Sequence, residues 1–210
     1  MTDFQTMRNR INRDLTRDEI TAVASDEIKT AILYYERQRF WFLEKRATLN
    51  TVDSQEFYAL PSDFQDDDSL VINVNNWTYP LIKRTYATIE AWFVRSATFT
   101  GYPTDWCIYN EQIRLYPIPN AAFTMTLSYL KSTAVLTNNS DTNEWMVEGE
   151  ELIRCRASRQ ICATKLKDLE RAAVYQQLET DALRQFNKIT MTRLMTGHAR
   201  RRRTGRVGNI

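Results

Sequence analysis

The chain has few of the residues on which enzymatic and metal chemistry depends. Its 210 residues include one histidine, His198, and three cysteines, Cys107, Cys155 and Cys162. Nucleophilic catalysis of the Ser-His or Cys-His type needs a base beside the nucleophile, and a single histidine near the chain end is a poor base. Phosphate-loop, dinucleotide-binding and zinc-ligand patterns are missing from the sequence. We therefore expect no enzymatic activity, no cofactor and no metal.

Long apolar runs are missing as well. No stretch reaches the roughly 18 residues of a membrane helix, and the N-terminal letters MTDFQTMRNRINRD contain no apolar core of a secretion signal. If Cys155 and Cys162 share a helix, they lie about 10 Å apart along its axis, too far for a disulfide bond. These features predict a soluble, reduced protein that is assembled in the cytoplasm and does not enter a membrane.

Proline occurs only in the middle of the chain, and glycine is scarce. All five prolines lie between positions 61 and 119, and Gly101 is the only glycine before position 149. Because proline interrupts helices, both ends of the chain can form long helices while the middle must turn often. We predict an α+β fold in which a helical domain, residues 1–37 and 147–197, carries a small antiparallel β domain at 40–136. Residues 198–210 are predicted to form a flexible basic arm.

Apolar residues at helical spacing predict the helices. The predicted apolar faces are Phe4, Met7, Ile11 and Leu15; Ile20, Val23, Ile28, Ala31, Ile32 and Tyr35; Leu152, Cys155, Cys162, Leu166 and Leu169; and Val174, Leu178, Ala182, Phe186 and Ile189. The pattern Thr16-x-x-Glu19 is a capping box that would restart a helix. Asp168 is placed to cap a further helix, which makes the C-terminal segment a two-helix hairpin. Gly197 is expected to end it as the C′ residue.

Alternating apolar residues predict strands in the middle of the chain. Segments 106–109, 113–117 and 123–129 read as a three-stranded antiparallel meander with one aromatic-rich face. Segments 47–52 and 56–60 read as a hairpin. The remaining elements predicted here are a strand through Leu70, Ile72 and Val74, a turn at Asn75-Asn76, and a short helix from Tyr86 to Val94.

Three successive aspartates, Asp66, Asp67 and Asp68, form an acidic cluster near Asp63. Neighbouring side chains in such a run point in different directions, and the run lacks the spacing of a calcium-binding loop. A solvated loop is the favoured interpretation, and a divalent-cation site is the other.

The positive charge is concentrated at the C-terminal end. The net charge is +2, and the last thirteen residues contain five arginines and no acidic residue, which leaves −3 for residues 1–197. The candidate docking residues of this arm are Arg200, Arg201, Arg202, Arg203, Arg206, Val207 and Ile210. The arginines have no interleaved aromatic residues for base stacking, and the apolar residues suit a protein contact. Docking on a protein partner is therefore favoured over a solubilising tail or phosphate binding.

The order of several short motifs resembles that of one protein family. The motifs are Phe40-Trp41-Phe42, Ala47-Thr48-Leu49, YALPSDF at 58–64, Tyr79-Pro80-Leu81, GYP at 101–103, the strand 106–109, IRLYPIP at 113–119 and Leu127-Ser128-Tyr129. In order and spacing they resemble passages of the head-to-tail adaptor proteins of short-tailed bacteriophages. The resemblance covers residues 16 to about 190, and the Arg-rich end is not part of it.

This resemblance implies a structural virion protein, a connector that forms a ring, typically a dodecamer, beneath the portal after genome packaging. Its implied partners are the portal protein and a tail nozzle or other tail protein, and genomic DNA passes through the ring without specific binding. A mildly acidic body agrees with that role, because a basic lumen would hold sliding phosphates. The free protein is expected to be monomeric or weakly associated, with a disordered arm. The alternative function is that of a phage DNA-binding protein acting through its Arg-rich arm.

Overall fold

The structure, a computed structural model, describes residues 2–17, 19–95 and 99–202 of the chain. The chain divides into two compact units: unit 1 comprises Met1–Leu43 and Thr133–Ile210, and unit 2 comprises Glu44–Ser132. Helices dominate unit 1 and strands dominate unit 2, which confirms the predicted α+β class.

The described residues form six helices and ten strands. The helices are α1 Phe4–Leu15, α2 Thr21–Glu36, α3 Tyr86–Arg95, α4 Glu144–Val147, α5 Glu150–Gln160 and α6 Leu169–Arg202. The strands are β1 Glu44–Asn50, β2 Phe57–Ala59, β3 Phe64–Val74, β4 Trp77–Pro80, β5 Ile82–Lys83, β6 Thr100–Gly101, β7 Asp105–Tyr109, β8 Gln112–Tyr116, β9 Ile118–Pro119 and β10 Thr124–Lys131. A 3-10 turn, Trp41–Leu43, precedes β1, and a π-helical segment, Ile161–Leu166, follows α5.

The first helix of unit 1 has the predicted apolar face. Phe4, Met7, Ile11 and Leu15 are all buried, because their spacing places them on one side of α1. The side chain of Asp3 accepts a hydrogen bond from the N–H of Thr6 at 2.7 Å and so caps the start of the helix.

The predicted capping box at Thr16 is wrong. Thr16 is the C-cap of α1 and has a left-handed backbone with φ of 56°, so it cannot adopt the extended backbone of an N-cap. Its N–H bonds to the carbonyl of Arg13, closing the first helix instead of opening the second. α2 begins at Thr21, after Ile20, without a side-chain cap.

The C-terminal part of unit 1 is a helix pair in which α5 packs against α6, as predicted. Asp168 accepts a hydrogen bond from the N–H of Arg171 at 2.9 Å and caps α6, which is also as predicted. The helix continues through Gly197 to Arg202, so its predicted end at Gly197 is wrong. An internal glycine costs a helix only about 1 kcal/mol, and no described glycine has the positive φ of a C′ residue.

The predicted apolar face of α6 is also wrong in most of its positions. Val174, Leu178 and Ile189 are exposed, whereas the buried positions of the helix between residues 169 and 193 are Ala172, Glu179, Ala182 and Thr190. Ala182 is the one predicted residue that is fully buried. A charged contact determines which face of α6 is buried, because Glu179 on that face pairs with two arginines of α5.

Unit 2 contains two four-stranded sheets. The first sheet has the order β1-β10-β3-β4, the second has the order β2-β8-β7-β5, and β6 and β9 form a separate two-stranded sheet. The core between the two larger sheets consists of Leu70, Ile72, Met125, Leu127 and Tyr129 from the first, with Tyr58, Trp106, Ile113 and Leu115 from the second. Two short pairings, β5 with β7 and β6 with β9, are parallel, so the unit is not wholly antiparallel as predicted.

The predicted strands exist, but two of their predicted pairings are wrong. β7 and β8 form the expected hairpin, with a two-residue turn at Asn110 and Glu111, both of positive φ. β10 instead pairs with β1 and β3, so the three-stranded meander does not form. The predicted 47–52 and 56–60 hairpin is wrong as well, since β1 pairs with β10 and β2 with β8. Alternation identifies a strand and its buried face but does not specify its partner.

The aspartate cluster lies in β3 and not in a loop. Asp67 pairs with Lys83 across 2.5 Å. Among the described residues, no group of His, Cys, Asp and Glu side chains is arranged to hold a metal ion. The turn at Asn75 and Asn76 and the helix α3 are present as predicted.

Candidate interaction surfaces

The motif residues at 58–64 stabilise the fold of unit 2. The Tyr58 hydroxyl accepts a hydrogen bond from the N–H of Val52 at 3.0 Å and donates one to the carbonyl of Gln55 at 2.8 Å. This closes the connection that leads into β2. The carboxylate of Asp63 accepts hydrogen bonds from the Tyr129 hydroxyl at 2.8 Å and from Lys45 at 2.6 Å. Burial alone would raise the pKa of Asp63, but these bonds outweigh it and lower the pKa.

A second charged cluster, also in unit 2, surrounds Arg114 of β8. Its guanidinium is almost fully buried and pairs with Glu56 and Glu90. The rings of Phe93 and Tyr86 lie 4.6 and 5.0 Å from it, in cation–π geometry. Arg114 of β8 pairs with Glu90 of α3 and with Glu56, so the cluster joins α3 to the second sheet.

A third cluster, in unit 1, surrounds Glu179 of α6. Its carboxylate accepts hydrogen bonds from the Tyr35 hydroxyl of α2 and from Arg156 of α5 at 2.9 Å, and Arg159 lies 2.7 Å away. The Arg156 guanidinium also lies 3.4 Å from the ring centre of Tyr34. We call Tyr35, Arg156, Arg159 and Glu179 the Glu179 cluster. It joins three helices through one buried acid.

The large apolar residues that remain exposed are the candidates for binding. In unit 2 they are Val52, Trp77, Tyr79, Ile82, Val94, Phe99, Tyr102 and Tyr109. Trp77 and Tyr79 of β4 are 69% and 50% exposed, although tryptophan is normally well buried. Exposed tryptophan and tyrosine are enriched at protein interfaces. This edge of the first sheet is therefore the strongest candidate surface of unit 2.

Unit 1 has two apolar surfaces of its own. One is the outer face of α6, where Val174, Leu178 and Ile189 are exposed. The other is a hollow of about 170 Å³ between α2 and the segment that follows β10, lined by Ile32, Leu33, Ala134, Val135 and Leu136 among others. Exposed apolar residues that share a surface are candidates for protein contacts.

A family model for the SU10 adaptor protein matches residues 2–207. The chain belongs to this family. The predicted resemblance to phage head-to-tail adaptors is therefore confirmed, and the match extends past it, through residues 3–15 and into the Arg-rich end. A comparison with curated proteins finds no match.

The family makes this chain a structural adaptor of a bacteriophage, which associates with other head and tail proteins of the phage and resides in the virion. Structural phage adaptors of this kind are typically non-enzymatic. None of the described helices is both long enough and apolar enough to span a membrane.

The structure places only part of the adaptor's predicted docking arm. Arg200, Arg201 and Arg202 belong to the described part of α6. The backbone of residues 198–202 continues the helix. The other four predicted docking residues, Arg203, Arg206, Val207 and Ile210, lie outside the described residues. That the seven residues dock on a partner stays a prediction.

Sequence reasoning missed the exposed aromatic edge of the adaptor. Trp77 and Tyr79 alternate with Thr78 after an Asn-Asn turn, which reads as an ordinary half-buried strand. The available signal was Pro80 at the end of the run, since proline within a sheet is confined mainly to edge strands.

Proposed function

We propose that this adaptor forms a ring that joins the portal of the phage head to a tail nozzle or other tail protein and lets the genome pass through. What carries the proposal is the family match over residues 2–207. The apolar surfaces on both units support it, because a protein that stayed monomeric would expose Trp77, Tyr79, Val174 and Leu178 to water.

The distribution of charge suits the passage of DNA. Residues 1–197 carry a net charge of −3, with the remaining positive charge at the C-terminal end. A protein lumen binds DNA non-specifically when lysine and arginine replace the counterions of the phosphates. A weakly acidic body replaces few of them, so DNA slides through without being held.

Assembly is proposed to take place in the host cytoplasm, on the portal, after the genome has been packaged. Copies related by rotation about the portal axis make a heterologous interface, which closes into a ring only when the angle is correct. The portal supplies that angle as a template. The free protein should therefore be monomeric or weakly associated, and the ring should have the symmetry of the portal, with a dodecamer expected.

Electron microscopy of the purified protein, alone and mixed with its portal, tests the ring directly. We expect no rings without portal and one ring on each portal when both are present. Sedimentation at micromolar protein concentration gives the mass of the free form. A stable dodecamer without portal would refute template-dependent closure. Portals that stay bare at saturating protein would refute the ring itself.

The arm is tested by truncation after Gly197. Truncation removes residues 198–202 of α6 and leaves the described buried residues of the helix, Ala172 to Thr190, in place. The truncated protein should therefore lose only the helical signal of those five residues and keep its melting temperature. It should form rings on the portal slowly or not at all, because the arginines that make bidentate contacts to carboxylates are gone. A matched variant with Arg200, Arg201 and Arg202 replaced by lysine keeps the charge and removes only the bidentate geometry.

Two results would contradict the role of the arm in docking. Unchanged affinity of the truncated protein for portals would make residues 198–210 a solubilising tail. Loss of DNA binding with unchanged ring formation would favour the alternative function, a phage DNA-binding protein acting through these arginines. Binding measured at increasing salt distinguishes the two functions further. Docking of the arm on the portal and binding of the arm to DNA both weaken with ionic strength, but only docking requires the portal.

A further inference from the structure

The first sheet of unit 2 has two edges that can accept a further strand. Among the described residues, β4 pairs with β3 alone and β1 pairs with β10 alone. We propose that, in the ring, β4 of one copy pairs with β1 of the next, so that neighbouring copies share a continuous antiparallel sheet. This inference rests on the proposed ring and names the interface that builds it.

Strand direction fits this pairing. Each neighbouring pair in the first sheet is antiparallel, from β1 to β10, from β10 to β3 and from β3 to β4. β1 and β4 therefore run in opposite directions. When two copies with the same orientation lie side by side, β4 of one meets β1 of the other in antiparallel fashion. A heterologous interface of a ring needs this arrangement, in which two different edges meet.

One residue of β4 directs both its backbone N–H and its backbone carbonyl away from the sheet. The N–H of Leu81 bonds to the carbonyl of Leu70 at 2.9 Å, which fixes the alternation of bonded pairs between β3 and β4. By that alternation, Trp77 and Tyr79 direct their backbone groups toward β3. Thr78, between them, directs both its N–H and its carbonyl away from the sheet.

The same reasoning applies to β1. The N–H of Thr51 bonds to the carbonyl of Phe123 at 2.8 Å, so Leu49 and Ala47 direct their backbone groups toward β10. Thr48 directs its N–H and carbonyl outward. Thr78 of one copy and Thr48 of the next can thus exchange both backbone hydrogen bonds, as a bonded pair in an antiparallel sheet does.

The side chains agree with this register. Tyr79 lies opposite Ile72 in the sheet, and Ile72 is fully buried, so Tyr79 and Trp77 lie on the face of the sheet that bears the core. They are exposed because β4 lies beyond the part of that face that the core covers. With Thr78 opposite Thr48, Trp77 meets Leu49 and Tyr79 meets Ala47. Both aliphatic residues pack against the core of unit 2 in their own copy. The contact therefore connects the apolar core of one copy with that of its neighbour.

The contact is short, which fits assembly on a template. β4 has four residues, and Pro80 has no N–H to offer. A short edge with proline is a device that protects a free protein from edge-to-edge aggregation. Such a contact forms in quantity only when the portal holds neighbouring copies side by side.

Cysteine crosslinking tests the pairing. A bonded antiparallel pair has Cα atoms about 5.5 Å apart, within the range that a disulfide spans. The double variant Thr48→Cys with Thr78→Cys, assembled on portals and mildly oxidised, should give a ladder of covalent multimers on a non-reducing denaturing gel. Each single variant should stay monomeric on that gel, and the three native cysteines are buried.

Several outcomes would overturn the inference. Rings visible by electron microscopy without a ladder would refute this interface and leave the ring intact. Dimers from Thr78→Cys alone would show that β4 pairs with β4 across a two-fold axis. Portals that stay bare with the unaltered protein would refute the ring and this interface together.

A second pair of variants does not depend on oxidation. Thr78→Pro removes one outward N–H and none of the bonds between β4 and β3, whereas Thr78→Val keeps the N–H and removes only the hydroxyl. We expect Thr78→Pro to need at least tenfold more protein to form rings on portals, with an unchanged circular dichroism spectrum. Thr78→Val should behave as the unaltered protein. Normal assembly of Thr78→Pro would contradict the inference.

Discussion

Replacing Glu179 by glutamine should destabilise the helical unit strongly. The carboxylate is buried and is shared by Tyr35, Arg156 and Arg159, whose side chains are themselves mostly buried, with 11% exposure for Arg156 and 25% for Arg159. The amide has nearly the same shape but no charge, so two guanidinium groups remain without their counter-ion. Breaking a buried ion pair by removing one partner costs about 3 kcal/mol or more.

Urea denaturation followed by circular dichroism measures this loss. With a slope of about 2 kcal/mol per molar urea, a loss of 3 kcal/mol lowers the midpoint by about 1.5 M. Asp181→Asn, two residues further along α6, is the control, because Asp181 pairs with Arg184 at an exposed site and such pairs contribute at most about 1 kcal/mol. A loss below 1 kcal/mol for Glu179→Gln would refute the view that this cluster holds α6 in place.

Three further predictions concern the same unit. Gly149→Ala should cost about 1–3 kcal/mol in urea denaturation, since an added Cβ would lie 2.6 Å from a ring carbon of the buried Trp145. Burial raises the pKa of the Cys155 thiol to about 11, so labelling by a thiol reagent at pH 8 should be far slower than in denaturant. Burial alone would raise the pKa of Glu150, but the hydrogen bonds from Arg10 and Thr2 and the charges of Arg10 and Arg154 together outweigh it and lower the pKa below 4.5. A lowered pKa stabilises the fold above pH 4.5 and ceases to do so as the pH falls through it, so Glu150→Gln should lose stability at pH 7 and show a weaker acid dependence.

The local elements of this fold could be predicted from the sequence because their signals are local. The stripe of α1 from Phe4 to Leu15 gives both the helix and its buried face, since one period of 3.6 residues determines both. Asparagine adopts positive φ more readily than most residues, so Asn110 indicates a turn in the sequence. The turn at Asn110 and Glu111 then joins β7 and β8 as a hairpin.

The pairings and faces that depend on distant residues could not be predicted. β10 lies between β1 and β3, and nothing near residues 124–131 identifies those partners. The buried face of α6 was misassigned for a different reason. A count of apolar residues favours Val174 and Leu178, whereas the contact that orients the helix is made by the charged residue Glu179.

The candidate surfaces were predicted less well than the fold. The basic arm stands out as charge in the sequence, but Trp77 and Tyr79 look like core residues until the sheet order shows that β4 is an edge. The residue type alone does not show whether an aromatic side chain is exposed or buried. Only the position of the strand distinguishes them.

The first and last strands of unit 2 are neighbours, with Glu44 directly opposite Leu130. The chain therefore enters and leaves this unit at two points about one strand spacing apart, near 5 Å. A tight turn could connect the same two points of the chain, so the β unit is an insertion between two neighbouring positions. Evolution can lengthen, replace or remove such an insertion without rethreading the rest of the chain.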